Sequence, residues 1–87
     1  MIIGAQIRAA RALLNWSADE LAKKAKLGVA TVRRGEAAEG EPTMTSANLA
    51  AILRTLESAG VEFTNGGRPG VRLRAAAAVN GANNAGE

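Results

Sequence analysis

Cysteine and histidine are both absent from this 87-residue chain. Without them no disulfide framework and no thiolate zinc site can hold the fold together, and the commonest metal ligand and general base near neutral pH are missing. Trp16 and Phe63 are its only aromatic residues, so any core must be aliphatic. No run approaches the roughly 18 apolar residues of a membrane span. The first eight residues, Met1-Ile2-Ile3-Gly4-Ala5-Gln6-Ile7-Arg8, lack the charged-then-apolar order of a secretion signal, so the expected setting is the cytoplasm. No nucleophile stands beside a base, and the glycine-rich stretch 65–70 leads into a strand pattern rather than the helix a phosphate cradle needs. An enzyme is the poorest of the function classes, and neither a cofactor, a metal nor a small-molecule ligand is implied. A chain this short buries about 60–65% of its unfolded surface. Ordinary packing must therefore stabilise it, with or without help from a second subunit.

What is present is unevenly spread. Residues 1–34 hold seven basic groups against two acidic ones, a net +5. Residues 35–66 hold one basic against five acidic, a net −4, and the remainder nets +2. A basic N-terminal block ahead of an acidic middle suits a protein with one face for a polyanion.

The pattern along the chain is mainly helical. Residues 5–14 predict a first helix, with Ile7, Ala10 and Leu14 on one apolar stripe, Arg11 on the same stripe and Gly4 as its N-cap. Ser17-Ala18-Asp19-Glu20 is a capping box, and Trp16 with Leu21 forms the matching hydrophobic staple. A second helix therefore starts at Ser17 and runs to about Ala25, with Leu21, Ala22 and Ala25 inward. After the break Lys26-Leu27-Gly28, a third helix is expected to Glu36, capped by Gly28, with Ala30 and Val32 able to face the core. Gly35 weakens its last turn by about 1 kcal/mol relative to alanine. Residues 37–44 read as a loop. Thr43 or Thr45 caps a fourth helix carrying Leu49, Ile52, Leu53 and Leu56, and Gly60 is placed to end it.

From Val61 the period changes. Val61-Glu62-Phe63-Thr64 and Val71-Arg72-Leu73-Arg74 alternate apolar and polar around a six-residue loop, 65–70, which predicts a β-hairpin. Residues 75–87 are small, polar and unpatterned, and are expected to be disordered. The fold class is thus mainly α: a four-helix helix-turn-helix domain over 1–60, a hairpin over 61–74 and a tail over 75–87.

Two short helices three residues apart, with a third ahead of them, form the core of a helix-turn-helix. Its residues resemble the Cro/repressor-type (XRE) family through Ile7-Arg8-x-x-Arg11, Leu14, Trp16-Ser17-x-x-Glu20-Leu21-Ala22-x-x-Ala25, Leu27, Ala30-Thr31-Val32-x-x-x-Glu36, Pro42 and Leu49-x-x-Ile52-x-x-x-Leu56. Where the family usually has glutamine, a turn glycine, a Ser/Thr cap and an apolar residue, this chain has Ala18, Lys26, Gly28 and Gly35. A fifth helix is usual where the hairpin falls. The resemblance implies a transcriptional regulator, most simply a repressor, whose helix 28–36 enters the major groove of double-stranded DNA. By position, Val29, Ala30, Arg33 and Arg34 would contact bases, and only the two guanidiniums can bond guanine O6 and N7 bidentately. Arg8, Ser17, Lys23, Lys24 and Lys26 are candidates for phosphate contact. The family also pairs the arginine at Arg11 with the glutamate at Glu36.

Plainer assignments stand beside these. Arg33-Arg34 could be a solvated helix end, Lys23 and Lys24 plain surface charge, Trp16 a core staple, and Arg72 and Arg74 the solvent face of the hairpin. A second function class is a protein-interaction module of antitoxin or anti-regulator type that keeps the fold. The hairpin needs an apolar surface against Val61, Phe63, Val71 and Leu73. Helix 4 could supply it, or the hairpin could join a homodimer, as reading two half-sites suggests.

Overall fold

Local capping chemistry marks where three of the four helices begin. The computed structural model describes residues 2–64 and 67–74; the disordered tail expected over 75–87 lies outside the described residues. Its elements are α1 (Gly4–Leu14), α2 (Ala18–Ala25), α3 (Val29–Ala37), α4 (Ser46–Ser58), β1 (Val61–Thr64) and β2 (Gly70–Leu73). Four helices followed by an antiparallel hairpin are the expected architecture, and no helix among the described residues is long and apolar enough to cross a membrane.

At α1 the cap is Ile3, not Gly4 as the sequence suggested. Isoleucine has no acceptor to offer, so only half of a capping box forms: the Gln6 carboxamide oxygen accepts from the Ile3 N–H at 2.9 Å. Gly4 is needed inside the first turn for another reason. A Cβ there would stand 2.6–2.8 Å from the carbonyl oxygens of Gly35, Ala38 and Glu36, all of them backbone. Helix α1 thus meets the end of α3 at a distance only glycine allows. Gly4→Ala should therefore destabilise the protein by about 1–3 kcal/mol, read as a lowered urea midpoint at unchanged m-value; an unshifted midpoint would mean that the contact is loose.

Ser17 and Glu20 form the complete box that their spacing predicts: the Ser17 hydroxyl accepts from the Glu20 N–H at 3.0 Å, and the Glu20 carboxylate accepts from the Ser17 N–H at 2.8 Å. Helices α1 and α2 both end in Schellman motifs. Trp16 N–H donates to the Arg11 carbonyl and Leu27 N–H to the Ala22 carbonyl, with Asn15 and Lys26 left-handed at φ 61°. Asparagine tolerates that conformation, but lysine is strained by roughly 1–2 kcal/mol. Lys26→Gly relieves the strain and adds some unfolded-state entropy, so a net gain of about 0.5–1 kcal/mol is expected in thermal melts. A loss of stability would show that the lysine side chain contributes more than its backbone costs.

Helix α3 begins at Val29 with Gly28 as a cap that makes no side-chain bond. Of the two residues expected to face inward, Val32 is fully buried while Ala30 is exposed. The inward line is instead Val29, Val32, Gly35 and Glu36, and Ala30 falls one position off it. The reading of Gly35 as merely a weak point is also corrected. It is buried, and a Cβ there would collide with the Met44 methyl and sit 3.5 Å from Pro42. Apolar volume missing from α3 is supplied by the loop that follows it. Thr45, rather than Thr43, caps α4 by accepting from Asn48 N–H at 3.1 Å, and Gly60, at φ 107°, lies just past its end.

The largest side chains without measurable exposure, Ile7, Leu21, Val32, Ile52, Leu56 and Val61, join all four helices and β1 in one core. Truncating a large one to alanine typically costs 2–5 kcal/mol. The hairpin pairs Val61 with Leu73, Glu62 with Arg72, Phe63 with Val71 and Thr64 with Gly70. Gly70 therefore belongs to β2 and Arg74 does not, so the second strand begins one residue earlier than expected. Phe63, Val71 and Leu73 pack against the core beside Val61. The apolar face of the hairpin is thus covered by helices of its own chain.

Candidate nucleic-acid interface

Helix α3 has two faces of opposite character. One is clamped inward by Val32, Gly35 and Glu36. On the other, Ala30, Arg33, Arg34 and Ala37 are exposed at the i, i+3, i+4, i+7 spacing of one stripe. This outward line carries two guanidiniums and two methyl groups, chemistry suited to guanine edges and thymine methyls. Val29, expected with them, is half-buried and packs against the core, so it lies at the border of the stripe.

The orientation of α3 is fixed from behind by one ion pair. Arg11 Nε donates to Glu36 Oε2 at 2.6 Å and Arg11 Nη2 to Glu36 Oε1 at 2.9 Å, a two-pronged bond across 25 positions of sequence. A third bond, from Arg11 Nη1 to the Trp16 carbonyl at 2.9 Å, ties the turn before α2 into the same cluster. The hydrogen bonds that Arg11 donates to the Glu36 carboxylate raise its pKa above the ordinary value, outweighing the desolvation that burial imposes. Arg8, a candidate for phosphate contact, donates to the backbone carbonyl of Glu36. It satisfies one of the orphan acceptors at the end of α3.

Ser17, Lys23, Lys24 and Lys26 are all exposed, as a phosphate-facing set would need to be. The Lys24 ammonium sits 5.1 Å from the centroid of the Trp16 ring, which is half-buried against the core. Ala18 is half-buried against the core and offers no polar atom. Asp19 lies 3.9 Å from the Arg33 guanidinium, linking the first turn of α2 to the outward stripe of α3. Arg72 is paired across the hairpin with Glu62 at 2.7 Å, and Arg74 donates to the Glu57 carbonyl at 3.0 Å, so both have local partners.

Sequence reasoning passed over one residue. Gln6 is 3% exposed, and its carboxamide nitrogen donates to the carbonyls of Thr64 at 3.3 Å and Gly70 at 3.0 Å. The signal available was its place three residues after the Ile3 cap, the position from which a Glu or Gln closes back. Nothing local could have indicated that its partners lie in the hairpin.

A protein-family model described as helix-turn-helix matches residues 7–57, which span α1 to nearly the end of α4. No curated protein matches the chain.

Proposed function

The chain belongs to the helix-turn-helix family of Cro/repressor type, a family of DNA-binding proteins rather than enzymes, and we propose that it is a cytoplasmic, sequence-specific regulator of transcription, acting as a repressor. Helix α3 enters the major groove. Arg33 and Arg34 read base edges, Ala30 and the border residue Val29 make apolar contacts, and Ser17, Lys23, Lys24 and Lys26 meet phosphates. Arg8 is shared between the end of α3 and a nearby phosphate. The observation that carries this proposal is the outward stripe Ala30-Arg33-Arg34-Ala37 on a helix whose other face is bolted inward by Arg11 and Glu36.

Two copies are part of the proposal, because one short helix reads only a few base pairs and half-sites lie about 34 Å apart. The hairpin's apolar face is used within the chain, but among the described residues each strand of its two-stranded sheet has only one neighbour. Backbone pairing between strand edges of two copies is the route to a dimer. Sedimentation of the full chain with and without duplex DNA tests it, and a single copy on a full site would sink it.

Salt dependence separates this function from the protein-interaction alternative, which the apolar Ala18 and the Asp19 carboxylate beside Arg33 favour. Affinity for duplex DNA, measured by mobility shift from about 50 to 200 mM salt, should fall steeply, by roughly 0.9 log units per log unit of salt for each phosphate neutralised. Lys23→Ala should reduce that slope by about one while weakening all sequences alike. Negligible DNA affinity even at the lowest salt would favour the protein partner.

A further inference from the structure

On a helix with 100° between successive residues, Gly4, Arg8 and Arg11 of α1 share one side and Gln6 projects from roughly the opposite one. The first side meets the end of α3: Gly4 abuts the carbonyls of Gly35, Glu36 and Ala38, and Arg8 and Arg11 hold Glu36 by its carbonyl and its carboxylate. Gln6 meets the hairpin. Its oxygen accepts from Ile3 N–H, and its nitrogen donates to the carbonyls of Thr64 and Gly70, the pair that closes the hairpin loop.

We infer that Gln6 is a positioning residue of the DNA interface, through which the hairpin braces α1 against the end of the recognition helix. The chemistry demands a carboxamide. One acceptor must face an N–H while donors face two carbonyls, and glutamine supplies both from one planar group. Turned over, the amide would set its nitrogen against the Ile3 N–H and its oxygen against two other oxygens, so the partners fix its orientation. Methionine has nearly the same length and offers no strong donor or acceptor; ionised glutamate offers acceptors only. The bracing has an end on each element: a short hairpin that needs support, and a nine-residue α3 whose last turn is held by residues of α1.

The test uses the full chain and Q6M, with two readouts. In amide hydrogen exchange without DNA, Q6M should accelerate the hairpin amides by about tenfold or more, and with them the last turn of α3, residues 34–37, beyond the change seen in α2 and α4. In mobility shifts, which rest on the function proposed above, Q6M should bind duplexes about three- to tenfold more weakly while ranking them in the same order, because Arg33 and Arg34 are untouched. Faster exchange confined to the hairpin, or no change at all, would overturn the inference. A wild-type chain that binds no DNA would sink the proposed function instead and leave the exchange result to decide on Gln6. Should Q6M fail to fold, Q6E decides. Its protonated carboxyl can both accept from Ile3 and donate to one carbonyl, so exchange at residues 34–37 should return toward wild type as pH falls from 8 to 5. Equal exchange differences at both pH values would overturn the inference.

Discussion

Arg11→Met is expected to lower the unfolding free energy by about 3–5 kcal/mol, because it strands a carboxylate in the interior. Glu36→Leu should cost less, about 1–3 kcal/mol. The asymmetry follows from exposure. The Glu36 side chain is 6% exposed and has nowhere to turn once its partner is gone, whereas Arg11 is 22% exposed and keeps its bond to the Trp16 carbonyl. In a domain of this size 1 kcal/mol moves the melting temperature by about 4–8 °C, so Arg11→Met should lower it by roughly 12 °C or more. Total stabilities of about 5–15 kcal/mol leave little margin for such a loss. The double variant Arg11→Met, Glu36→Leu removes both charges and should be milder than the sum of the singles by about 2 kcal/mol. Urea melts of the four proteins measure that coupling. Additive costs would mean that each charge is solvated independently and that the bidentate contact adds nothing.

Features set by neighbouring residues were legible in the sequence; of those set by distant ones, the Arg11–Glu36 pair was expected only through the family resemblance. The Ser17–Glu20 box and the Trp16–Leu21 staple lie within six residues of each other, and α2 begins where they place it. Glycine at position 35 reads as a defect when only α3 is considered; its use appears once Met44 arrives from the following loop. Periodicity could tell that Val61, Phe63, Val71 and Leu73 share a face, since alternation reports sidedness. It carries no information on what lies opposite, which is why helix 4 of the same chain and a second subunit are both candidates for the cover and why the contribution of α1 is visible only in the structure. The bonds from Gln6 to Thr64 and Gly70 span 58 and 64 positions and leave no local trace.

The candidate interface divides the same way. The family resemblance puts Arg33 and Arg34 with Ala30 on the groove-facing side, whereas nothing in the sequence shows the turning of Arg8 toward the Glu36 carbonyl. Nor does it show the approach of Asp19 to Arg33, which depends on how α2 and α3 cross. Ala30 fits two incompatible roles in the sequence, one inward and one outward, because a short helix with few large side chains has an ill-defined apolar direction. The fixed positions of Val32 and Glu36 resolve it.

Replacing both Arg33 and Arg34 with alanine should remove most of the sequence preference while leaving the fold intact. Both side chains are exposed, and surface changes of this kind ordinarily shift stability by no more than about 0.5 kcal/mol. The ion pair with Asp19 does not withhold Arg33 from DNA: at 3.9 Å, with the two side chains 64% and 69% exposed, it stabilises by about 0–1 kcal/mol. A bidentate bond to guanine is worth about 1–3 kcal/mol of discrimination, so reorientation toward a base edge is favoured over the carboxylate. Losing two such bonds removes roughly 2–6 kcal/mol, from about 30-fold to more than 10⁴-fold in affinity for the preferred site. The measured loss ends where phosphate binding takes over, since Lys23, Lys24 and Lys26 are unaltered and their contribution is blind to sequence. Arg33→Lys should not rescue, because an ammonium lacks the planar fork that matches O6 and N7. The experiment is selection from a randomised duplex pool with the wild-type and doubly substituted chains, read by sequencing and repeated at two salt concentrations. The wild type should enrich a guanine-containing motif, and the double variant should return a nearly flat profile with a residual, salt-sensitive affinity. If the double variant enriches the same motif, α3 is not the element that reads the bases.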